Sequence, residues 1–107
     1  MTAVVRREDV ARAVADAVTA VPGVAGLSPG SGVEVSTQFA GGKVVGVRLT
    51  GDEVEIHVNA DQVPLGRVGD EAAAAARRVL TANGDTRPVM IVIDDIAAEA
   101  LDRRTRS

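Results

Sequence analysis

The chain has 107 residues, the size of a single domain, and 46% of them are hydrophobic, mostly small or branched aliphatics because there is one Phe and no Trp or Tyr. The absence of cysteine excludes disulfides, thiolate metal sites and cysteine nucleophiles, and it favours an intracellular, cytoplasmic location. A formal net charge of −3 with a single lysine argues against binding to the phosphate backbone of nucleic acids, and no apolar run reaches the roughly 20 residues that span a bilayer.

The first element is marked by a stripe of valines. They recur every three or four residues between positions 10 and 21, which predicts a helix over about residues 7–21. Pro22 lacks an amide donor and Gly23 permits positive φ, so the helix is expected to end there. A short apolar run at 24–27 then predicts a first, short strand, followed by a loop rich in turn formers.

Alternating apolar and polar side chains dominate the middle third of the chain. The pattern predicts three strands, over about residues 33–39, 45–49 and 53–59. Gly41-Gly42-Lys43 separates the first two, and Gly51-Asp52, a good two-residue hairpin signal, separates the last two. These strands are therefore expected to form an antiparallel meander.

A second helix and a last strand follow. Pro64 suits a first-turn position, and an apolar stripe runs from Leu65 to Val79 through a stretch of alanines. Residues 89–93 are apolar on both faces, which favours a central strand or one whose second face meets a partner. Because the helix would connect two strands as a crossover, the strands at 53–59 and 89–93 are expected to run parallel.

Together these elements predict an α+β fold in the order α-β-β-β-β-α-β. We expect a two-layer sandwich, with a mixed, mostly antiparallel sheet and both helices on one of its faces. Residues 1–96 would form a single domain. Residues 97–107 would be a polar C-terminal tail, a candidate for a further short helix.

Several segments, taken in their order along the chain, carry a family resemblance. They are Ala17-Val18-Thr19-Ala20-Val21-Pro22-Gly23-Val24-Ala25-Gly26-Leu27, Gly46-Val47-Arg48-Leu49, Glu53-Val54-Glu55-Ile56-His57-Val58, Val63-Pro64-Leu65 and the run from Val89 to Ile96. In this order they resemble the alkaline-shock-protein family of bacterial envelope stress response proteins, over most of residues 6–96. The resemblance implies a non-enzymatic cytoplasmic protein that acts in cell-envelope homeostasis, is held near the membrane by an anchored partner and self-associates.

Catalytic and metal chemistry have few candidate residues. His57, the only histidine, shares a strand face with Glu55, so the pair could act as metal ligands or His57 as a general base. Without a second histidine, the favoured interpretation is an exposed edge residue. Asp94 and Asp95 could bind a hard cation with Glu99, but two acids after an apolar strand more often end the strand and cap a helix. We therefore predict no catalytic residue, no metal and no cofactor.

The segment Gly66-Arg67-Val68-Gly69 offers an alternative function. A G-x-x-G turn among helices and strands in this order is also the outline of the KH nucleic-acid-binding module, whose glycines let the backbone approach phosphates. The single arginine is followed at once by Asp70 and Glu71, whose carboxylates repel phosphate. The favoured interpretation places Gly66 and Gly69 in the first turns of an ordinary helix, and nucleic acid is not the expected partner.

The sheet face opposite the helices is the best candidate for function. Alternation makes this face polar except for a small apolar group. Such a group suggests burial by a neighbouring subunit, a partner or the C-terminal tail. We therefore predict an interaction surface here, for homo-oligomerisation or for a membrane-anchored partner protein. Its residues are Val44, Arg48, Glu55, His57, Met90 and Val92.

Overall fold

Two helices and six strands make up residues 6–97, the part of the chain that the computed structural model describes. In chain order they are α1 (Arg7–Thr19), β1 (Val24–Leu27), β2 (Ser36–Phe39), β3 (Gly42–Val45), β4 (Val47–Leu49), β5 (Val54–Ala60), α2 (Leu65–Ala82) and β6 (Val89–Ile96). The predicted α+β class is confirmed, with one strand more than predicted. The predicted strand over residues 45–49 is interrupted at Gly46, and β3 begins at Gly42, inside the predicted turn. The predicted tail lies outside the described residues from position 98 onward.

The main sheet is organised around β5. On one side β4 pairs antiparallel with the first half of β5 and β1 with its second half, while β6 runs parallel to β5 on the other side. The hairpin of β2 and β3 is a separate two-stranded sheet. The mixed sheet and the parallel relation of β5 and β6 are confirmed. Within the described residues β6 is an edge strand, so the prediction of a central position is wrong and the partner-facing alternative remains.

Gly46 divides what the sequence predicts as one strand. Its φ is +90°, a conformation that glycine adopts easily, and a Cβ atom there would lie 2.7 Å from Leu27 Cβ. The Gly46 N–H donates to Val35 O, and its carbonyl accepts from His57 N, both at 2.8 Å. The chain therefore bends at Gly46, with β3 in the hairpin and β4 in the main sheet.

The joint between α1 and β1 is tighter than the sequence predicts. The helix ends at Thr19 rather than Val21, and a turn follows in which Val21 N donates to Val18 O at 3.1 Å. Gly23 has a φ of +97°, and a Cβ atom at this position would lie 2.8 Å from Val68 Cγ2 of α2. The glycine thus lets the joint approach the second helix closely.

Both helices pack on one face of the main sheet, as predicted. The inward-facing side chains of β5, Val54, Ile56 and Val58, are fully buried and share one apolar cluster with the stripes of α1 and α2. Ala72 and Ala76 have no exposed surface, and such small side chains let α2 lie close to its neighbours. Full burial of a valine or isoleucine side chain contributes roughly 1.5–3 kcal/mol, so this cluster is the main source of stability.

Candidate interaction surface

Four charged side chains from three adjacent strands meet on the sheet face away from the helices. His57 Nδ1 lies 2.8 Å from Asp94 Oδ2, and His57 Nε2 lies 2.5 Å from Glu55 Oε2. Arg48 Nη2 donates to Glu55 Oε1 at 2.7 Å. We call Arg48, Glu55, His57 and Asp94 the histidine cluster. It links β4, β5 and β6, and it places Arg48 and His57, which is a second cation when protonated, against two carboxylates.

Strand register brings the histidine cluster together. Glu55 and His57 are two residues apart on β5 and so share a face, and Arg48 lies directly opposite Glu55 on β4. The residue opposite His57 on β6 is Val92, and Asp94 lies two residues farther along the same face. Alternation indicates the first three members, but Asp94 is 37 residues from His57 in the chain, and only the pairing of β5 with β6 brings it close.

The contacts of His57 favour its protonated form. An ionised carboxylate only accepts hydrogen bonds, so an imidazole between two carboxylates must donate from both nitrogens, as the imidazolium does. Burial acts to lower the pKa of His57, but the hydrogen bonds to Glu55 and Asp94 outweigh it, and the pKa is raised. The pKa of Glu55 is lowered by its hydrogen bonds from His57 and then Arg48.

His57 is covered by the protein's own loop between β1 and β2. Its exposed fraction is 9%, and a Cβ atom on Gly30 of that loop would lie 3.6 Å from His57 Nδ1. The loop is tied down because Ser28 N donates to His57 O at 2.8 Å and Val35 N donates to Pro29 O at 2.9 Å. The prediction of an exposed edge histidine is therefore wrong, since this part of the face is covered and β5 is central.

The apolar part of the predicted surface lies on β6. Met90 is 40% exposed, and Val92 is half-buried on the same face. Met90 lies opposite Glu55, and Val92 lies opposite His57. Val89, Ile91 and Ile93, on the other face, are also half-buried and pack against the core. We call residues 89–93, with their outer backbone edge, the β6 surface.

Val44 does not belong to this surface. It pairs with Thr37 in the separate hairpin and packs against the main core cluster. The bend at Gly46 turns this part of the chain toward α1, away from the outer face of the main sheet. The other five predicted surface residues do lie together on β4, β5 and β6.

Asp94 and Asp95 do not end the last strand. Instead, β6 continues through both of them to Ile96, and its register against β5 shifts by one residue between Val58 and Asn59. The extra residue is a β-bulge, which the simple alternation of side chains cannot predict. Glu99, the third member of the cation site considered from the sequence, lies outside the described residues.

The alternative nucleic-acid segment lies within α2. Gly66, Arg67 and Gly69 all fall in its first turns, as the favoured interpretation predicts. The Arg67 guanidinium lies 3.3 Å from Glu71 Oε1, an ion pair on the exposed side of the helix. The only arginine of this segment is therefore already paired with an acid.

Three further observations bear on function. Within residues 6–97, no group of three or more His, Asp and Glu side chains has an arrangement that could hold a metal ion. None of the helices in that same range is long and apolar enough to cross a membrane. No protein-family model, curated protein or solved structure matches this chain. Function is therefore inferred from geometry and from the family resemblance of the sequence.

Proposed function

We propose that this protein is non-enzymatic and acts in cell-envelope homeostasis through a protein–protein contact made by the β6 surface. The envelope role comes from the resemblance of the sequence to the alkaline-shock-protein family. In this proposal the protein is cytoplasmic and membrane-proximal, and a membrane-anchored protein is among its partners. The histidine cluster supports the surface and does not react.

The position of β6 carries this proposal. Among the described residues it pairs only with β5, so its far edge leaves backbone N–H and C=O groups available. Edge strands are normally protected by charges, proline or bulges. Here Pro88 precedes the strand and the bulge with Asp94 lies near its end, but the five residues between them are all apolar. Such an edge is suited to the addition of another strand.

The side chains support the same interpretation. Met90 is one of only a few large apolar residues within positions 6–97 that are well exposed, and Val92 lies beside it on the same face. Arg48, 42% exposed at its side chain, provides a polar margin. An apolar centre with a charged rim is the usual anatomy of a protein interface.

The proposal is tested by complementation of cells that lack the gene. The variant M90E V92E places two acids on the outer face of β6 and should fail to restore resistance to envelope stress, such as detergent or inhibitors of cell-wall synthesis. The matched control is Leu65→Glu, because Leu65 is 38% exposed, close to the 40% of Met90, and lies on α2. Leu65→Glu should restore resistance.

Both variants are first checked for the wild-type circular dichroism spectrum and thermal unfolding. Full resistance in cells that carry a folded M90E V92E protein would overturn the proposed function. The same conclusion would follow if cells lacking the gene tolerated envelope stress as well as the parent strain.

A further inference from the structure

Resting on the proposed function, we infer that the β6 surface is occupied by a second copy of this chain. The β6 strands of two copies pair antiparallel about a two-fold axis at Ile91. Val89 then lies opposite Ile93 of the second copy, and Met90 lies opposite Val92. The two main sheets become one continuous sheet with the helices of both copies on the same side.

The hydrogen bonds of β5 identify which backbone groups of β6 bond to β5 and which point away from it. Val54 N donates to Pro88 O at 2.9 Å, whereas His57 N donates to Gly46 O on the opposite side of β5. Even-numbered residues of β5 therefore bond toward β6. In a parallel ladder only alternate residues of a strand bond to a given neighbour, so Met90 and Val92 bond to β5. The N–H and C=O groups of Val89, Ile91 and Ile93 point away from the sheet.

These outward groups restrict the register of a β6 pair. In an antiparallel pair, residues that exchange hydrogen bonds lie directly opposite each other. An allowed register therefore places residues whose backbone groups point away from β5 opposite each other. Allowed registers are related by sliding one strand along the other by two residues. The register centred on Ile91 is one of them, and it uses the N–H and C=O groups of all three outward residues in both copies.

Side-chain chemistry selects the register centred on Ile91. In it, every residue from 89 to 93 lies opposite another apolar residue. A shift of two residues in one direction places Met90 opposite Asp94. The same shift in the other direction places Ile93 opposite Arg87. Each of these shifts sets a charged residue against an apolar one, and cross-strand pairs of matched character are the stabilising ones.

Charge also favours the antiparallel direction. Asp94 and Asp95 lie at one end of β6, and each chain carries a formal net charge of −3. A parallel pair would bring the acids of both copies together, whereas an antiparallel pair places them at opposite ends. A second copy would also complete the burial of Val89, Ile91 and Ile93, which are half-buried at the edge. A two-fold homodimer is the commonest symmetry of soluble oligomers.

Cysteine cross-linking tests the register in the full-length chain, which has no cysteine of its own. Residues in a non-hydrogen-bonded antiparallel pair have Cα atoms about 4.5 Å apart, within disulfide range. A mixture of Met90→Cys and Val92→Cys proteins with different tags should therefore oxidise rapidly to the mixed disulfide. Either protein alone should react slowly, because identical residues are then diagonal neighbours about 7–8 Å apart. Leu65→Cys, at similar exposure on α2, reports the rate of chance collision.

A backbone variant tests the edge itself. Ile91→Pro removes an N–H that points outward, so the bonds of β6 to β5 remain. It should convert the dimer to a monomer in sedimentation or light scattering, at a wild-type circular dichroism spectrum. The matched control, Ile91→Ala, loses most of the side chain but keeps the N–H, and should still dimerise. If Ile91→Pro does not fold, the cross-linking experiment decides by itself.

Three outcomes would overturn the inference: a wild-type chain that is monomeric at micromolar concentration, mixed disulfides that form no faster than those of Leu65→Cys, or faster cross-linking of Met90→Cys with itself. A monomeric wild type, together with loss of envelope resistance in M90E V92E, would leave the proposed function standing with another protein as the partner. A dimer of the inferred register, together with full resistance in M90E V92E, would support this inference and overturn the proposed function.

Discussion

His57 Nδ1 lies 2.8 Å from Asp94 Oδ2, and this contact joins β5 to β6 at the bulge in their shared ladder. The extra residue at the bulge determines which face of the sheet Asp95 occupies. With it, Asp95 lies opposite Asn59 on the outer face and Ile96 lies opposite Ala60 on the inner face. Without it, Asp95 would point to the core. The imidazole binds the displaced aspartate and so fixes the end of the edge strand.

We expect stability to fall at alkaline pH because of His57. Its pKa is raised above the ordinary value of 6.5. The stabilisation from a group of this kind is fully present below pH 6.5 and is lost as the pH rises through the folded-state pKa. The charged groups around the imidazole are Glu55 and Asp94, with Arg48 bound to Glu55. The free energy of unfolding in urea, measured from pH 5 to pH 9, should decline across this window.

The matched variant is His57→Gln, which keeps polar atoms but does not titrate. It should be less stable than the wild type at pH 5 by about 1–3 kcal/mol, because it removes charge-assisted hydrogen bonds to the partly buried carboxylates of Glu55 and Asp94. Its decline between pH 5 and pH 9 should be much smaller. A His57→Gln profile parallel to that of the wild type would show that another group causes the pH dependence.

Asp94→Asn should lower the pKa of His57. The amide oxygen can still accept a hydrogen bond from Nδ1, but the negative charge that favours the imidazolium is gone. His57 is the only histidine, so its ring protons can be followed without overlap in an NMR titration. Asp95→Asn is the control, since Asp95 Oδ1 accepts instead from Ile96 N, and it should leave the titration nearly unchanged. Equal shifts in both variants would contradict the contact.

Gly46→Ala should destabilise the protein by about 2–4 kcal/mol, because strained backbone at positive φ and overpacking each cost on the order of 1–3 kcal/mol. The added Cβ would meet Leu27 Cβ at 2.7 Å. Gly51→Ala is the control, since nothing lies within 4 Å of a Cβ atom there, and it should change stability by less than about 0.5 kcal/mol. Chemical denaturation compares the two, and similar losses would argue against the bend at Gly46.

Thr37→Val should cost about 1 kcal/mol, the usual net value of a buried hydrogen bond. Thr37 is fully buried, and its hydroxyl donates to Val47 O at 2.6 Å, which joins the hairpin to the main sheet. Thr37→Ser keeps the donor and loses a methyl group, so it separates the bond from the packing. Urea unfolding of both variants gives the comparison. A Thr37→Val protein as stable as the wild type would show that the hydroxyl contributes nothing.

The fold class and most elements could be predicted because they depend on local periodicity. The valine stripe of α1 and the alternation along β5 are visible in the chain, and the crossover through α2 determines that β5 and β6 are parallel. The end of α1 at Thr19 and the interruption between β3 and β4 at Gly46 could not be predicted from periodicity. The break at Gly46 depends on the close approach of this residue to Leu27, and the joint after α1 includes the close approach of Gly23 to Val68.

For the candidate surface too, the sequence predicts some features and only the tertiary structure decides the others. Alternation alone assigned Arg48, Glu55, His57, Met90 and Val92 to one face, since side-chain direction follows from residue parity within a strand. Tertiary structure decided that His57 is buried under a loop and bound to Asp94 and that Val44 turns toward the core. It also decided that β6 lies at an edge of the sheet formed by residues 6–97. These features depend on which strands are neighbours and where a bulge shifts the register, and both are set by contacts between residues far apart in the chain.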